Sequence, residues 1–207
     1  MIRASLTGVD APITGLSNHV RTWAGRSTCP PFFYLLLRHL VLSLAIIAQP
    51  LAADAKGVYQ TPEDFVKEVF GGQVPPPQTL WLTQDIARGA EKILGHPLRL
   101  LRVHYWAKGS LSVWVLEETG KEQPITTGIV VDSGKVAQMR VLIYRENRGD
   151  EVRQPFFLDQ FKGAGLQQDD ELNRHIDGVS GATLSTRALI KLARLALFFD
   201  QQRHGSP

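Results

Sequence analysis

Apolar positions in the chain follow a helical spacing, then a strand spacing, then a helical spacing again. Thr61-Pro62-Glu63-Asp64 opens a helix, with a hydroxyl cap, proline in the first turn and acids behind it. Gly71-Gly72 ends that helix, and Val74 with Pro75-Pro76-Pro77 reads as an extended connection. Thr83 caps a second helix that places Ile86, Ala90, Ile93 and Leu94 on one face and stops at Gly95. From Leu100 to Trp106, and again from Leu111 to Leu116, apolar and polar residues alternate around the turn Lys108-Gly109-Ser110. Ile125 to Val131 and Val136 to Tyr144 form the clearest hairpin, closed by Asp132-Ser133-Gly134-Lys135. Phe156 to Phe161 reads as a short helix. A last helix carries Leu184, Leu189, Leu192, Leu195, Ala196 and Phe199 on its apolar stripe. Strands are segregated from helices, which predicts an α+β domain over 56–200 with a small antiparallel sheet packed by helices. The polar residues 201–207 read as a loose tail.

Upstream of this domain the pattern changes. Arg38-His39 precedes the apolar run Leu40 to Ala48, then Pro50 and Ala53-Asp54-Ala55. Charge, apolar core and Ala-x-Ala site together resemble a secretory signal, so 32–55 is read as a signal peptide cleaved after Ala55. An uncleaved membrane anchor is the alternative, although the run is short for a span and Arg38 interrupts a longer one. Residues 1–31 lack periodicity and are expected to be disordered, as a wrongly assigned start would explain. The protein is therefore expected outside the cytoplasm, in the periplasm, or membrane-anchored if the signal stays. Its single cysteine, Cys29, falls in that preface, so the mature chain would have no disulfide, thiolate metal site or cysteine nucleophile.

The 207 residues are 43% hydrophobic, enough for one domain. The pI near 9.1 overstates the charge of that domain. Beyond residue 55 there are 19 basic and 18 acidic residues, which leaves no footprint for nucleic acid.

The segment with the most chemistry is Asp177-Gly178-Val179-Ser180-Gly181-Ala182-Thr183-Leu184-Ser185-Thr186. A polar turn with two glycines runs into the start of the last helix. Helix N-termini hold unpaired N–H groups and the positive end of the dipole, which suits a phosphate. Gly178 and Gly181 allow positive φ and close approach, and Ala182 keeps the approach clear. The Thr183 hydroxyl at this place is positioned for esterification to a phosphate. As an unperturbed hydroxyl it is a weak nucleophile and needs an external enzyme to activate it. The competing reading is that Ser180 or Thr183 simply caps the helix.

Asp177-Gly178 followed by Ser180-Gly181-Ala182-Thr183 resembles the attachment motif of the FMN-binding domain family, which includes flavin-carrying subunits of sodium-pumping quinone reductases and of Rnf complexes. Tyr144-Arg145-Glu146-Asn147-Arg148-Gly149 is similar to that family's His-x-Glu-Thr-Pro-Gly-like segment, and Gln160-Phe161-Lys162-Gly163 to its Gln-Phe-x-Gly segment. Asn147-Arg148 replaces the family's Thr-Pro. The resemblance implies FMN linked through its phosphate to Thr183 by a separate flavin transferase, with magnesium needed only during transfer. It implies an electron carrier that exchanges electrons with a membrane redox protein. It also implies that Ser180, Gly181, Ala182, Asp177, Gly178, Leu184, Glu146 and Arg153 lie about the cofactor, and that a basic group such as Arg148 or Arg153 tunes an anionic flavin. A flavin-dependent oxidoreductase acting on a small periplasmic molecule is the alternative.

Other candidates are weaker. Trp81, Trp106 and Trp114 have rings that stack on flavins, yet Trp106 and Trp114 alternate like sheet-face residues. His96, His104 and His175 lack a metal-ligand spacing. Asp169-Asp170-Glu171 reads as a solvated loop, and Asp177 as a residue holding its turn by an Asx-type bond.

Overall fold

A computed structural model describes residues 57–205. The signal-peptide, anchor and cysteine readings, and the preface 1–31, lie outside the described residues. The fold is α+β, as the periodicity predicts. Five strands, β1 (Gln78–Trp81), β2 (Arg102–Lys108), β3 (Leu111–Thr119), β4 (Pro124–Asp132) and β5 (Lys135–Tyr144), form one antiparallel sheet in sequence order. Helices α1 (Pro62–Val69), α2 (Gln84–Leu94), α3 (Pro155–Leu158) and α4 (Thr183–Gly205) pack around it. Two short 3-10 turns, Asp150–Arg153 and Asp159–Phe161, flank α3. No described helix is long and apolar enough to cross a membrane.

Local chemistry explains the elements. Thr61 caps α1 by accepting from the Asp64 N–H at 3.1 Å, with Pro62 in the first turn. Thr83 caps α2, and Gly95 ends it in the left-handed region at φ 75°. Ser133 and Gly134 both take positive φ, 51° and 72°, as the two-residue turn of the β4–β5 hairpin requires.

Both faces of the sheet are buried. One face, with Trp114, Ile129, Val131 and Val141, packs under α2 and α4 in the main core. The other presents Val113, Val130 and Leu142 to Phe65 and Val66 of α1. This accounts for the nearly unbroken burial along β4, Thr126 and Thr127 included, which a sheet with one solvated face would not give. Gly128 admits the α1 contact, since a Cβ there would sit 2.4 Å from the Phe65 ring.

Three expectations change. β1 has four residues behind a proline run, too short to carry a periodic signal, and was not read as a strand. Leu184 is 46% exposed and so stands outside the apolar stripe of α4. Of the tail read as loose, the described part, 201–205, is helical: α4 continues to Gly205, where the buried Arg203 guanidinium pairs with buried Asp200 at 2.6 Å. Asp200 also accepts from Ser112 Oγ at 2.5 Å, and Ser112 accepts the Trp114 indole N–H at 2.8 Å. Helix and β3 are thereby joined by a polar chain inside the core.

Candidate functional site

The antiparallel order brings the end of β3, the start of β4 and the end of β5 to one end of the sheet. There the first turn of α4 meets the β3–β4 loop and the segment after β5. A cleft of about 600 Å3 lies between them, within the range of cofactor pockets. One wall is Gly181 to Ser185, another Lys121 and Glu122, and a third Glu146 to Arg148.

Thr183 is the first residue of α4 and is exposed to this cleft. Gly181 takes φ 79°, and a Cβ on it would meet nothing within 4 Å, so the approach is open. Gly178 has no positive φ among the described residues; Gly181 alone supplies that conformation in the motif. Ala182 is buried against Gly149, where a Cβ would lie 2.9 Å from the Ala182 methyl. Its small size therefore serves packing of the turn and not only clearance.

The capping reading does not hold for Ser180 or Thr183. Among the described residues neither hydroxyl makes a cap bond; Thr186 Oγ1 reaches back to accept the Val179 N–H at 3.3 Å. The Asx reading of Asp177 is likewise replaced. Its carboxylate is exposed, 3.6 Å from His175, while Gln160 holds its backbone. Gln160 Oε1 accepts the Asp177 N–H at 2.7 Å, and Gln160 Nε2 donates to the Asp177 carbonyl at 3.4 Å. That pair of bonds couples the Gln-Phe-Lys-Gly segment to the turn before Thr183.

Glu146 lines the cleft, but one of its oxygens is spoken for. Oε1 accepts backbone N–H groups of Lys121 at 2.5 Å, Glu122 at 2.7 Å and Gln123 at 3.0 Å. Burial pushes its carboxyl upward, but those three donors and the Lys121 charge outweigh this and hold it below the usual carboxylate range. Gly120 makes the knot fit, since a Cβ there would lie 2.9 Å from Glu146 Oε1 and 3.2 Å from Ser185 Oγ. Tyr144 donates to the Arg148 carbonyl at 2.7 Å and lies 3.2 Å from Ser185 Oγ, tying strand, loop and helix together. Burial pushes the Tyr144 phenol up.

Other expected residues lie elsewhere. Arg153 does not line the cleft; its guanidinium lies over Tyr59 at 4.3 Å and pairs with Asp150 at 3.4 Å. Asp177, Gly178 and Ser180 shape the approach turn without lining the cleft. None of Trp81, Trp106 and Trp114 lines it; Trp114 is buried and stacks on Tyr105 at 4.7 Å. Lys121, Glu122, Asn147 and Ser185 line it and were not singled out as site residues. Only Gly120 before a polar loop marks the first two in the sequence.

A phosphate fits this cleft. The first turn of helix α4 opens onto it, and Lys121 and Arg148 bring cations, Lys121 lying 3.4 Å from Glu122; of the two carboxylates on the walls, Glu146 is already saturated on one oxygen by N–H donors. A second, more apolar cleft of about 500 Å3 opens where β2 and β3 part beyond Tyr105 and Trp114. At its edge buried Glu118 accepts from His96 at 2.9 Å and Lys191 at 3.3 Å.

The chain is similar to NqrC of Shewanella oneidensis, known from a crystal structure, at 16% identity and a TM-score of 0.50 over 68% of this chain and 88% of that one. At that identity the likeness speaks for the fold. No curated protein matches the chain. Residues 120–197 match the model of the FMN-binding domain, a stretch that holds every wall of the Thr183 cleft and begins where β3 ends. The resemblance read from the sequence therefore holds, and residues 120–197 are recognised as an FMN-binding domain.

Proposed function

We propose that this protein is an exported electron carrier whose FMN is joined through its phosphate to Thr183. The observation that carries the reading is the place of Thr183: an exposed hydroxyl on the first residue of a 23-residue helix, opening into a cleft with Lys121 and Arg148 on its walls. Bound FMN supplies reversible uptake of one or two electrons. The chain's own residues hold and orient it. The α4 N-terminus and the two cations receive the phosphate. Glu146 fixes the 121–123 loop through its N–H groups, and Leu184 offers an apolar surface beside the attachment point. In attachment from FAD, the Thr183 oxygen would take the FMN phosphorus and AMP would be released. The hydroxyl proton passes to a base on the flavin transferase, which also holds the magnesium. Covalent linkage suits a compartment where lost FMN is not replaced, and the electron partner is a membrane redox protein.

Expression in the periplasm with a flavin transferase, followed by a denaturing gel under ultraviolet light, tests the linkage. A fluorescent band that disappears in Thr183→Val is expected; an equal band in that variant overturns it. Mass spectrometry of the same sample reads the N-terminus, and a chain beginning before Lys56 refutes cleavage after Ala55.

A further inference from the structure

Outside the FMN-binding match, the segment between α2 and β2 and the end of edge strand β1 build an apolar tip. Leu101 is 82% exposed, Trp81 61% and Leu100 53%. The tip is held in place: Leu82 N–H donates to the Leu101 carbonyl at 3.0 Å, and Trp81 pairs with Arg102 across β1 and β2. Arg99 and Arg102 flank the apolar residues and are exposed. The Arg102 guanidinium lies 5.8 Å from the Trp81 ring, and neither arginine has a carboxylate partner among the described residues. Nearby carboxylates have other partners: Asp85 pairs with Arg88, Glu91 takes the Leu98 N–H, and Glu117 and Glu118, which line the same cleft as Arg102, pair with Arg145 and with His96 and Lys191.

We infer that this tip, Trp81 with Arg99 to Arg102, docks the domain on an anionic lipid surface. Large apolar side chains this exposed are unfavourable in water; Leu100 and Arg102 reach the rim of the second cleft, whereas Trp81 and the most exposed residue, Leu101, lie outside it and line no groove that would select a peptide. A tryptophan at the rim, with an apolar body and a polar N–H, suits the boundary between headgroups and acyl chains. Two guanidiniums without a carboxylate partner among the described residues supply the complementary charge for anionic headgroups. The placement has a consequence for the cleft. Trp81 and Arg102 lie at the same end of the sheet as Thr119, Pro124 and Tyr144, beside which Lys121 and Glu146 line the Thr183 cleft. Docking by the tip therefore holds that cleft near the bilayer. Only this last step rests on the function proposed above; lipid contact does not require flavin.

The full-length chain carrying Cys29→Ser and Leu101→Cys is labelled at position 101 with a polarity-sensitive dye. It is mixed with vesicles of phosphatidylcholine, with or without phosphatidylglycerol, bearing brominated acyl chains as quenchers. A second protein carries the dye through Ser133→Cys, in the hairpin turn at the opposite end of the sheet. Quenching at 101 on anionic vesicles and none at 133 is expected. Arg99→Gln and Arg102→Gln should each lower the partition coefficient roughly fivefold, and added salt should weaken it further. A dye at 101 that stays in water while the chain sits on the vesicles overturns the proposal, because binding then resides in the N-terminal segment. Equal quenching at 133 overturns it too. So does a response at 101 that needs protein-containing membranes, which would mark a protein partner. Loss of covalent flavin in the gel experiment leaves all these outcomes unchanged, so the two readings fail separately.

Discussion

At Thr183 no protein group competes for the side-chain hydroxyl among the described residues, and the residue is exposed. Thr183→Val should therefore abolish attachment while moving the unfolding free energy by no more than about 0.5 kcal/mol, as surface substitutions do; chemical denaturation checks the second half. Glu146 behaves oppositely. It was expected at the cofactor, and it does line the cleft, but its Oε1 organises three backbone N–H groups. Glu146→Gln removes the charge from those bonds and should lower stability by about 1–2 kcal/mol, allowing for partial exposure. It should also speed amide exchange at Lys121, Glu122 and Gln123 while leaving Thr183 attachable. The motif Ser180-Gly181-Ala182-Thr183 was legible because a turn, two small residues and a hydroxyl before an apolar stripe are local facts. Arg153 does not line the cleft, because proximity in sequence to a good strand says nothing about which side of the next turn a guanidinium leaves by, and Tyr59 captures it.

Between elements, glycines decide how closely the parts approach. Gly120→Ala puts a methyl 2.9 Å from Glu146 Oε1 and 3.0 Å from Ile125 Cδ1, and Gly128→Ala puts one 2.4 Å from the Phe65 ring. Each should cost about 1–3 kcal/mol by overpacking. Gly120→Ala should also reduce flavin attachment, whereas Gly128→Ala should loosen α1 and leave attachment intact. The helix caps Thr61, Thr83 and Gly95 were readable from sequence, since a cap is decided within four residues. β1 was not, because four residues behind three prolines become a strand only when β2 offers them a ladder. The extent of α4 past Gln201 depends on the same kind of distant fact. Asp200→Ala would leave Ser112 and Arg203 buried without their acceptor. It should destabilise by about 3–5 kcal/mol, read as a lower denaturation midpoint, and fray the helix after residue 200.

The whole domain has a stability profile set by groups far apart in the chain. The Arg140 hydrogen bond, with that of Gln60, holds the Glu68 carboxyl low, and Glu146 is also low. Both stabilise the fold above the ordinary carboxylate value, about 4.3, and lose that contribution as pH falls through their depressed values. His96 is raised, first by its bond to Glu118 and then by the Pro97 carbonyl. Its contribution is complete below the ordinary histidine value, about 6.5, and disappears as pH rises through the raised one. Thermal midpoints across pH should therefore fall on both sides. Glu146→Gln should flatten the acid arm and His96→Ala the neutral-to-alkaline arm. The α+β class, the helices, the main hairpin and the Ser-Gly-Ala-Thr turn were all present in local patterns of spacing, caps and turn residues, because each is settled within a few neighbours. The tertiary structure decided that both sheet faces are covered, that the β3–β4 loop and Glu146 complete the Thr183 cleft, and that Trp81 joins Leu100 and Leu101 at the same sheet end. Those facts depend on strand order and on contacts between residues tens of positions apart, where no local spacing carries the information.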